Sequence, residues 1–236
     1  MKNQKKLYIL HGWAYSTEKW EPFVESLKQN GVEAIVLKIP GLTAPLERVW
    51  ALDDYVEWLK KEISEKDGKV VLLGHSNGGR IALAFAVKYP EKVERLILID
   101  SAGIYHKELA LQMKRFVFGV AAKFGKKLTS SPALQKLLYT FAREQDYREA
   151  SPIVRKTMRN LITSDVTEML PTIAVPICLI WGENDGITPI SDGKIMKQSL
   201  PDAQLHIIKN ARHSPQFTNV AEVAEIIGEF VIARSE

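Results

Sequence analysis

The fold is decided at residues 70–79, which read Val70-Val71-Leu72-Leu73-Gly74-His75-Ser76-Asn77-Gly78-Gly79. The first four residues are apolar, as is typical of a strand buried on both faces, and a helical pattern runs from Asn77 to Tyr89. Glycines two positions before and after Ser76 permit a sharp turn, because a side chain there would meet the strand or the helix. The stretch therefore predicts a strand-to-helix turn with Ser76 at its tip.

Similar apolar runs occur on both sides of this turn and alternate with amphipathic stretches. They are short and rich in Val, Ile and Leu without polar alternation, which favours parallel strands covered on both faces. Helical patterns separate them, as at Leu52–Leu59 and Val220–Ile232. The sequence therefore predicts an α/β fold with a mostly parallel sheet flanked by helices. The predicted strands are Leu7–Leu10, Ala34–Leu37, Val70–Leu73, Leu96–Ile99, Ile177–Trp181 and Leu205–Ile208.

Residues 102–165 break the alternation, because they carry helical patterns without a strand. Ser131-Pro132 and Ser151-Pro152 are typical helix starts, with serine as the cap and proline in the first turn. We therefore predict a helical cap at 102–165, inserted into a core made of 1–101 and 166–236. Three apolar stripes support this division: Leu109, Met113, Phe116, Val120 and Phe124; Leu134, Leu137, Leu138 and Phe141; Val154, Met158 and Leu161.

The chemistry is predicted from loops that follow the strands. A serine hydroxyl needs a base within hydrogen-bond reach to act as a nucleophile. His213 lies between the last predicted strand and the last helix, where sites of open α/β sheets form. Among the five histidines we therefore predict His213 as the base for Ser76; the others are His11, His75, His106 and His206.

A carboxylate that orients this histidine is expected after the preceding strand. Residues 181–189 supply it, and Gly182 and Gly186 mark a tight loop there. Asp185 is the candidate, with Glu183 as its competitor. The resulting order of serine, aspartate and histidine is the order found in α/β-hydrolases.

Negative charge on a tetrahedral intermediate requires fixed hydrogen-bond donors. The backbone N–H of Asn77, directly after the nucleophile, is one candidate. The other is the backbone N–H of Trp13, because Gly12 permits a close backbone approach after the first strand. We therefore predict an oxyanion hole formed by Trp13 and Asn77.

Composition narrows the range of functions. The net charge of +4 is too small to indicate nucleic-acid binding, and residues 101–165 hold an excess of basic over acidic side chains, twelve to five. Cys178 is the sole cysteine, so an intrachain disulfide is excluded. No apolar run has the length of a signal peptide or a membrane span, and no clustered metal-ligand spacing occurs. We expect a soluble cytoplasmic protein that needs no cofactor or metal.

Taken together, these segments resemble the α/β-hydrolase superfamily, in particular its small bacterial esterases and carbon–carbon bond hydrolases. The resemblance implies that Ser76, Asp185 and His213 form a catalytic triad, and that the helical insertion covers the site. The matching segments are Leu10–Trp13, Pro40-Gly41, Gly74–Gly79, Leu98–Ala102, Pro176–Asp185 and His213.

Two features differ from the usual pattern of that superfamily. Only six residues precede the first strand, so we expect a sheet without the family's two extra initial strands. The family often has an aspartate before the Pro-Gly turn, whereas this chain has Lys38 two residues before Pro40. The loop that follows this turn, residues 42–45, also lacks the second glycine that is customary in the family.

Three functions remain open from the sequence. The first is a carboxylesterase that cleaves small to medium apolar esters through an acyl-enzyme. The second is a carbon–carbon bond hydrolase of ring-cleavage products, which would use the same triad. The third is a ligand-binding module without turnover. The basic residues of 102–165 would be the solvated face of cap helices or would contact a membrane surface.

Overall fold

The computed structural model describes residues 6–13, 16–63, 68–104 and 150–232. These residues form one six-stranded sheet in the order β2-β1-β3-β4-β5-β6, and each neighbouring pair is parallel. The predicted fold class is therefore confirmed. The strands are β1 (Lys6–Leu10), β2 (Glu33–Val36), β3 (Val70–His75), β4 (Val93–Ile99), β5 (Ile177–Gly182) and β6 (Ala203–Ile208).

Seven α-helices are numbered along the described residues. Short 3₁₀ turns at Glu18–Trp20, Pro90–Lys92 and Thr167–Thr172 add to them. Among the described residues, none of the helices combines the length and the apolar character needed to cross a membrane. The helices are α1 (Glu21–Gln29), α2 (Leu52–Glu62), α3 (Asn77–Lys88), α4 (Pro152–Thr163), α5 (Ile190–Ser199), α6 (Pro215–Thr218) and α7 (Val220–Ile232).

The sheet separates two apolar cores, and β1 shows how the strands serve both. Tyr8 and Leu10 belong to the core that includes residues of α2, α3 and α5, whereas Leu7 and Ile9 belong to the core beneath α1 and α7. Successive side chains of a strand point to opposite faces, so a strand covered on both sides needs apolar residues throughout. Cys178 lies fully buried in β5, as the sequence predicted.

The predicted cap lies mostly outside the described residues. This holds for His106, for Ser131-Pro132 and for the first two apolar stripes, so the division into core and cap stays a prediction. Within the described part, α4 begins as predicted: Ser151 Oγ accepts the N–H of Val154. Leu161 of the third stripe is buried in the core that includes residues of α2, α3 and α5.

Close backbone packing fixes the start of α3 against the end of β1. A Cβ added to Gly78 would lie 1.9 Å from the carbonyl oxygen of Leu10, and one added to Gly79 would lie 2.0 Å from Ser101 Oγ. Both distances are far below van der Waals contact, and the Leu10 carbonyl belongs to a central strand that cannot yield. The glycines are therefore required by packing.

Gly78→Ala should lower the melting temperature strongly, because the new methyl group would push α3 away from β1. Overpacking costs about 3 kcal/mol or more at such a site, which corresponds to a fall of roughly 6–12 °C in a domain of this size. Ala84→Gly is the matched control in the same helix and should cost only about 1 kcal/mol through helix propensity. Thermal unfolding followed by circular dichroism measures both; equal falls would contradict the packing argument.

Candidate active site

Ser76 occupies a strained turn between β3 and α3. Its backbone angles are φ 54° and ψ −121°, outside the region that non-glycine residues favour. The turn is held because Ser76 N–H donates to Ile99 O at 3.2 Å and Ser76 O accepts the N–H groups of Gly79 and Ala102. Such strain persists only where surrounding contacts enforce it, and it is common at functional sites.

The structure brings together the three residues of the predicted triad. His213 Nε2 lies 3.0 Å from Ser76 Oγ, and His213 Nδ1 lies 2.8 Å from Asp185 Oδ2. Ser76 follows β3, Asp185 follows β5 and His213 follows β6, so three carboxyl ends of the parallel sheet converge here. All three residues are buried. The imidazole can therefore accept a proton from Ser76 while its other nitrogen donates to Asp185.

Asp185 is held as an ionised carboxylate. Its Oδ1 accepts the backbone N–H groups of Ile187 at 2.7 Å and Thr188 at 3.2 Å, and the Thr188 hydroxyl donates to Oδ2 at 2.7 Å. Burial by itself would raise the pKa of Asp185, but the hydrogen bond and charge of His213, with these donors, outweigh burial and lower it. Thr188 is a contact that the sequence analysis missed.

Glu183, the competing carboxylate, points elsewhere. Its Oε2 accepts the backbone N–H of Asn210, and the residue is exposed. Of the other histidines in the described residues, His206 lies part-way along the edge strand β6. His11 is the first residue after β1 and is buried. The geometry thus favours Asp185 and His213 over these alternatives.

The residues predicted for the oxyanion hole flank the nucleophile. A Cβ on Gly12 would lie 2.8 Å from Ser76 Cβ, so the Gly12–Trp13 backbone passes directly beside the serine. Asn77 begins α3, and the first N–H groups of a helix lack partners within it. Arg80, missed by the sequence analysis, donates from Nη1 to Asn77 Oδ1 at 2.5 Å and is buried. Burial lowers the pKa of Arg80 to about 10, which leaves it cationic at neutral pH.

His11 links the loop after β1 to the turn at residues 39–44. Its Nδ1 lies 2.7 Å from Gly12 O and its Nε2 lies 2.8 Å from Thr43 Oγ1. Because Gly12 O can only accept, Nδ1 carries the proton and Nε2 accepts from Thr43. Burial lowers the pKa of His11 and favours this neutral form. These contacts define the path of the loop at residues 42–45, which could not be predicted because the loop lacks the customary second glycine.

One group of the described side chains is close enough to share a cation. Ligand atoms of His75, Asp100 and His213 lie within 4.8 Å of one another, and all three residues are buried. The His75 and His213 rings are stacked at a tilt, with centroids 5.1 Å apart. Both nitrogens of His213 already contact Ser76 and Asp185, so a cation here would compete with the triad geometry.

Asp100 is the second carboxyl of the site, and no role was predicted for it although it lies in the matched segment Leu98–Ala102. It is completely buried, and its Oδ1 accepts the N–H of Gly182 at 2.8 Å. Burial, and next the negative charge of Asp185, raise the pKa of Asp100 to about 9. A carboxyl group that directly follows an apolar strand was the available signal in the sequence.

The pH dependence of the protein's stability should show that the Asp100 carboxyl is neutral. The folded pKa of Asp100 is raised above the ordinary value of 3.8. Its contribution to stability is therefore complete below about pH 4 and is lost as the pH rises towards 9. Asp100→Asn keeps an oxygen for Gly182 and cannot ionise, so its melting temperature relative to wild type should rise from pH 5 to pH 8. The effect should not exceed about 1.4 kcal/mol per pH unit.

Asp202→Asn, at an exposed position, is the control for this measurement. Its melting temperature relative to wild type should not follow the same trend. A difference between Asp100→Asn and wild type that stays constant with pH would show that Asp100 is ionised in the folded protein.

Comparison with known proteins agrees with this architecture. The family described as serine aminopeptidase, S33 (Hydrolase_4) matches residues 1–217. A pimeloyl-acyl-carrier-protein methyl ester esterase of Nitrosomonas europaea is 29% identical over 230 residues, which are 90% of this chain and 90% of that protein.

Solved structures give the same fold. MGS-MChE2, an α/β-hydrolase enzyme from the metagenome of sediments of the Mar Chica lagoon in Morocco, is 25% identical with a TM-score of 0.67, covering 96% of this chain and 90% of its own. The meta-cleavage product hydrolase of Pseudomonas fluorescens matches with a TM-score of 0.70. The match covers 96% of this chain and 90% of the hydrolase. Its identity of 17% makes this a likeness of fold alone. Because the family match extends over residues 1–217 of 236, the chain belongs to the serine aminopeptidase S33 family of hydrolases, within the α/β-hydrolase superfamily.

Proposed function

We propose that the protein is a carboxylic ester hydrolase that works through an acyl-enzyme, with Ser76 as nucleophile, His213 as general base and Asp185 as the carboxylate that orients His213. The observation that carries this proposal is the continuous path from Ser76 Oγ to His213 Nε2, 3.0 Å, and from His213 Nδ1 to Asp185 Oδ2, 2.8 Å. This path supplies the base that a serine hydroxyl needs.

In the acylation step, Ser76 Oγ attacks the ester carbonyl carbon while its proton moves to His213 Nε2. The imidazolium that results is stabilised by the Asp185 carboxylate, which stays ionised. The tetrahedral intermediate collapses when His213 returns this proton to the leaving alkoxide. The alcohol departs, and the acyl group remains on Ser76.

Negative charge on the former carbonyl oxygen is placed near the backbone N–H groups of Trp13 and Asn77. Support comes from the closeness of Gly12 to Ser76 and from the start of α3 at Asn77. The hydrogen bond from His11 to Gly12 O fixes the Gly12–Trp13 peptide plane, and with it the direction of the Trp13 N–H. Donors held in this way need no reorganisation during the reaction.

Deacylation repeats the chemistry with water. His213 takes a proton from the water molecule as its oxygen attacks the acyl carbon. The second tetrahedral intermediate then releases the carboxylic acid product as the same proton returns to Ser76 Oγ. No group outside the protein and the two substrates is required.

The curated relative named above suggests the substrate: a methyl ester on an acyl chain that an acyl carrier protein holds. We propose methyl and other small-alcohol esters of medium-length acyl chains as the substrate class. Two partly buried or exposed apolar side chains next to the triad loops, Trp13 and Ile187, suit an apolar chain. Carbon–carbon bond hydrolysis stays an alternative without an observation in its favour.

A fluorophosphonate probe should label Ser76 covalently. We expect labelling of wild type, none of Ser76→Ala, and a loss of roughly a thousand-fold or more in kcat for His213→Ala, since members of a triad act as a unit. Ser214→Ala is the matched control, because this serine is the direct neighbour of His213 in the chain. Mass spectrometry of the labelled peptide and ester hydrolysis rates provide the measurements.

Equal labelling of wild type and Ser76→Ala would refute the nucleophile. Failure of the probe to label wild type would favour the binding-module alternative. Turnover of dienoic diketo acids in preference to esters would favour the carbon–carbon bond hydrolase.

Acyl-chain length should control the rate. Each methylene that enters an apolar pocket contributes about 0.8 kcal/mol, or nearly four-fold in kcat/KM. We expect kcat/KM for p-nitrophenyl esters to rise from acetate to butyrate or hexanoate and then to fall when the pocket is full. A steady fall from acetate onwards would indicate a small or polar pocket.

The same series can separate a general esterase from one that recognises a carrier protein. Methyl pimelate should be compared free and attached to acyl carrier protein, at equal concentrations of ester. A higher kcat/KM for the attached form would assign the carrier as part of the substrate, whereas equal values would restrict recognition to the acyl chain. An aminoacyl p-nitroanilide is the control for peptidase activity, and we expect no turnover of it.

A further inference from the structure

Asp100 lies where it can reach the same histidine as Asp185. It follows β4, which pairs with β3 on one side and β5 on the other, so it lies between the strand ends that lead to Ser76 and Asp185. Its backbone is fixed in the left-handed region at φ 42° by the hydrogen bond from its N–H to Ile180 O at 3.0 Å. The side chain is therefore held beneath the site.

The two oxygens of Asp100 are in unequal surroundings. Oδ1 accepts the N–H of Gly182, but Oδ2 is buried and has no hydrogen-bond partner among the described residues. The titratable groups that face the carboxyl are Asp185, His213 and His75, and an Asp100 oxygen lies within 4.8 Å of ring nitrogens of both histidines. An unpartnered buried oxygen costs free energy, so this arrangement requires an explanation.

We propose that Asp100 is a reserve positioning residue for His213: a neutral carboxylic acid while Asp185 is ionised, and the carboxylate that orients His213 when Asp185 loses its charge. This inference rests on the proposed function. It adds to it a second carboxyl that acts on the reaction through His213 and does not touch substrate.

Hydrogen bonding decides which of the two carboxyls carries the proton. Asp185 accepts two backbone N–H groups, the hydroxyl of Thr188 and the imidazole of His213, and all four stabilise its ionised form. Asp100 accepts one N–H group. Two carboxyls that share a buried site hold one proton between them, and it resides on the less well solvated one. Protonated Oδ2 then becomes a donor, and the Asp185 carboxylate is its neighbouring acceptor.

The test is a double-mutant cycle on p-nitrophenyl butyrate. Asp100→Asn imitates the neutral acid and retains the oxygen for Gly182, so kcat should change by less than about three-fold in the wild-type background. Asp185→Ala should lower kcat by at most about a hundred-fold. Neutralising the triad aspartate typically lowers kcat by roughly ten-thousand-fold, so the smaller loss would indicate a substitute for Asp185. Adding Asp100→Asn to Asp185→Ala should cost at least about ten-fold more.

A pH profile provides a readout that a structural role would not change. In Asp185→Ala, His213 is oriented only when Asp100 has lost its proton, and burial still opposes that loss. The activity of Asp185→Ala should therefore rise at a higher pH than that of wild type. This displaced rise should be missing from the double variant.

The inference is overturned if Asp100→Asn costs the same factor in both backgrounds and the pH profiles of Asp185→Ala and the double variant coincide. The melting temperature and the circular dichroism spectrum check that each variant is folded. If Asp185→Ala is not folded, Asp185→Ser replaces it, because the hydroxyl can still accept from Ile187. Failure of the proposed function would instead appear as full activity in Ser76→Ala and His213→Ala.

Discussion

The whole site depends on one steric constraint, the contact between the first turn of α3 and the end of β1. Gly78 has no room for a side chain there, because a Cβ would lie 1.9 Å from the Leu10 carbonyl oxygen. With α3 held so close, the chain must turn from β3 within a single residue, and Ser76 takes up the strain at φ 54°. Strain of this kind costs roughly 1–3 kcal/mol. It is offset by the burial of β1, β3 and β4 between two apolar cores.

Electrostatics then assigns a state to each buried group. Four hydrogen bonds keep Asp185 ionised, whereas Asp100, with one, is favoured as the neutral acid. The alternative, two adjacent buried carboxylates, would incur both a desolvation cost and mutual repulsion. The tight loop after β5 creates this difference, because it directs the N–H groups of Ile187 and Thr188 towards one carboxyl only. The backbone of this loop therefore determines which of the two carboxyls is ionised.

Sequence patterns predicted the strands and the three triad positions because both follow from local rules. A buried parallel strand must be apolar on both faces, and a turn such as that at Ser76 requires glycine at defined positions. The roles of Asp100, Thr188 and Arg80 were not predictable in this way. Asp100 depends on a contact between distant segments, the hydrogen bond from Gly182 N–H to its Oδ1. Thr188 and Arg80 contact residues only three positions away, Asp185 and Asn77, but their place in the site depends on burial that no local pattern encodes. For the predicted cap at 102–165, periodicity indicates helices but does not determine how they pack.

Helix α4, in the segment between β4 and β5, is attached away from the triad. In α4, Thr157 Oγ1 accepts the N–H of Trp50 at 2.9 Å and Asn160 donates to Trp50 O at 2.9 Å. The Trp50 ring packs edge-on against Tyr55, whose hydroxyl donates to Pro40 O. This route ends at the turn that contacts His11 and does not pass through Asp185 or His213. The proton path is fixed by strand ends and their backbone hydrogen bonds, so we expect changes in α4 to leave the distance from Ser76 Oγ to His213 Nε2 unaltered.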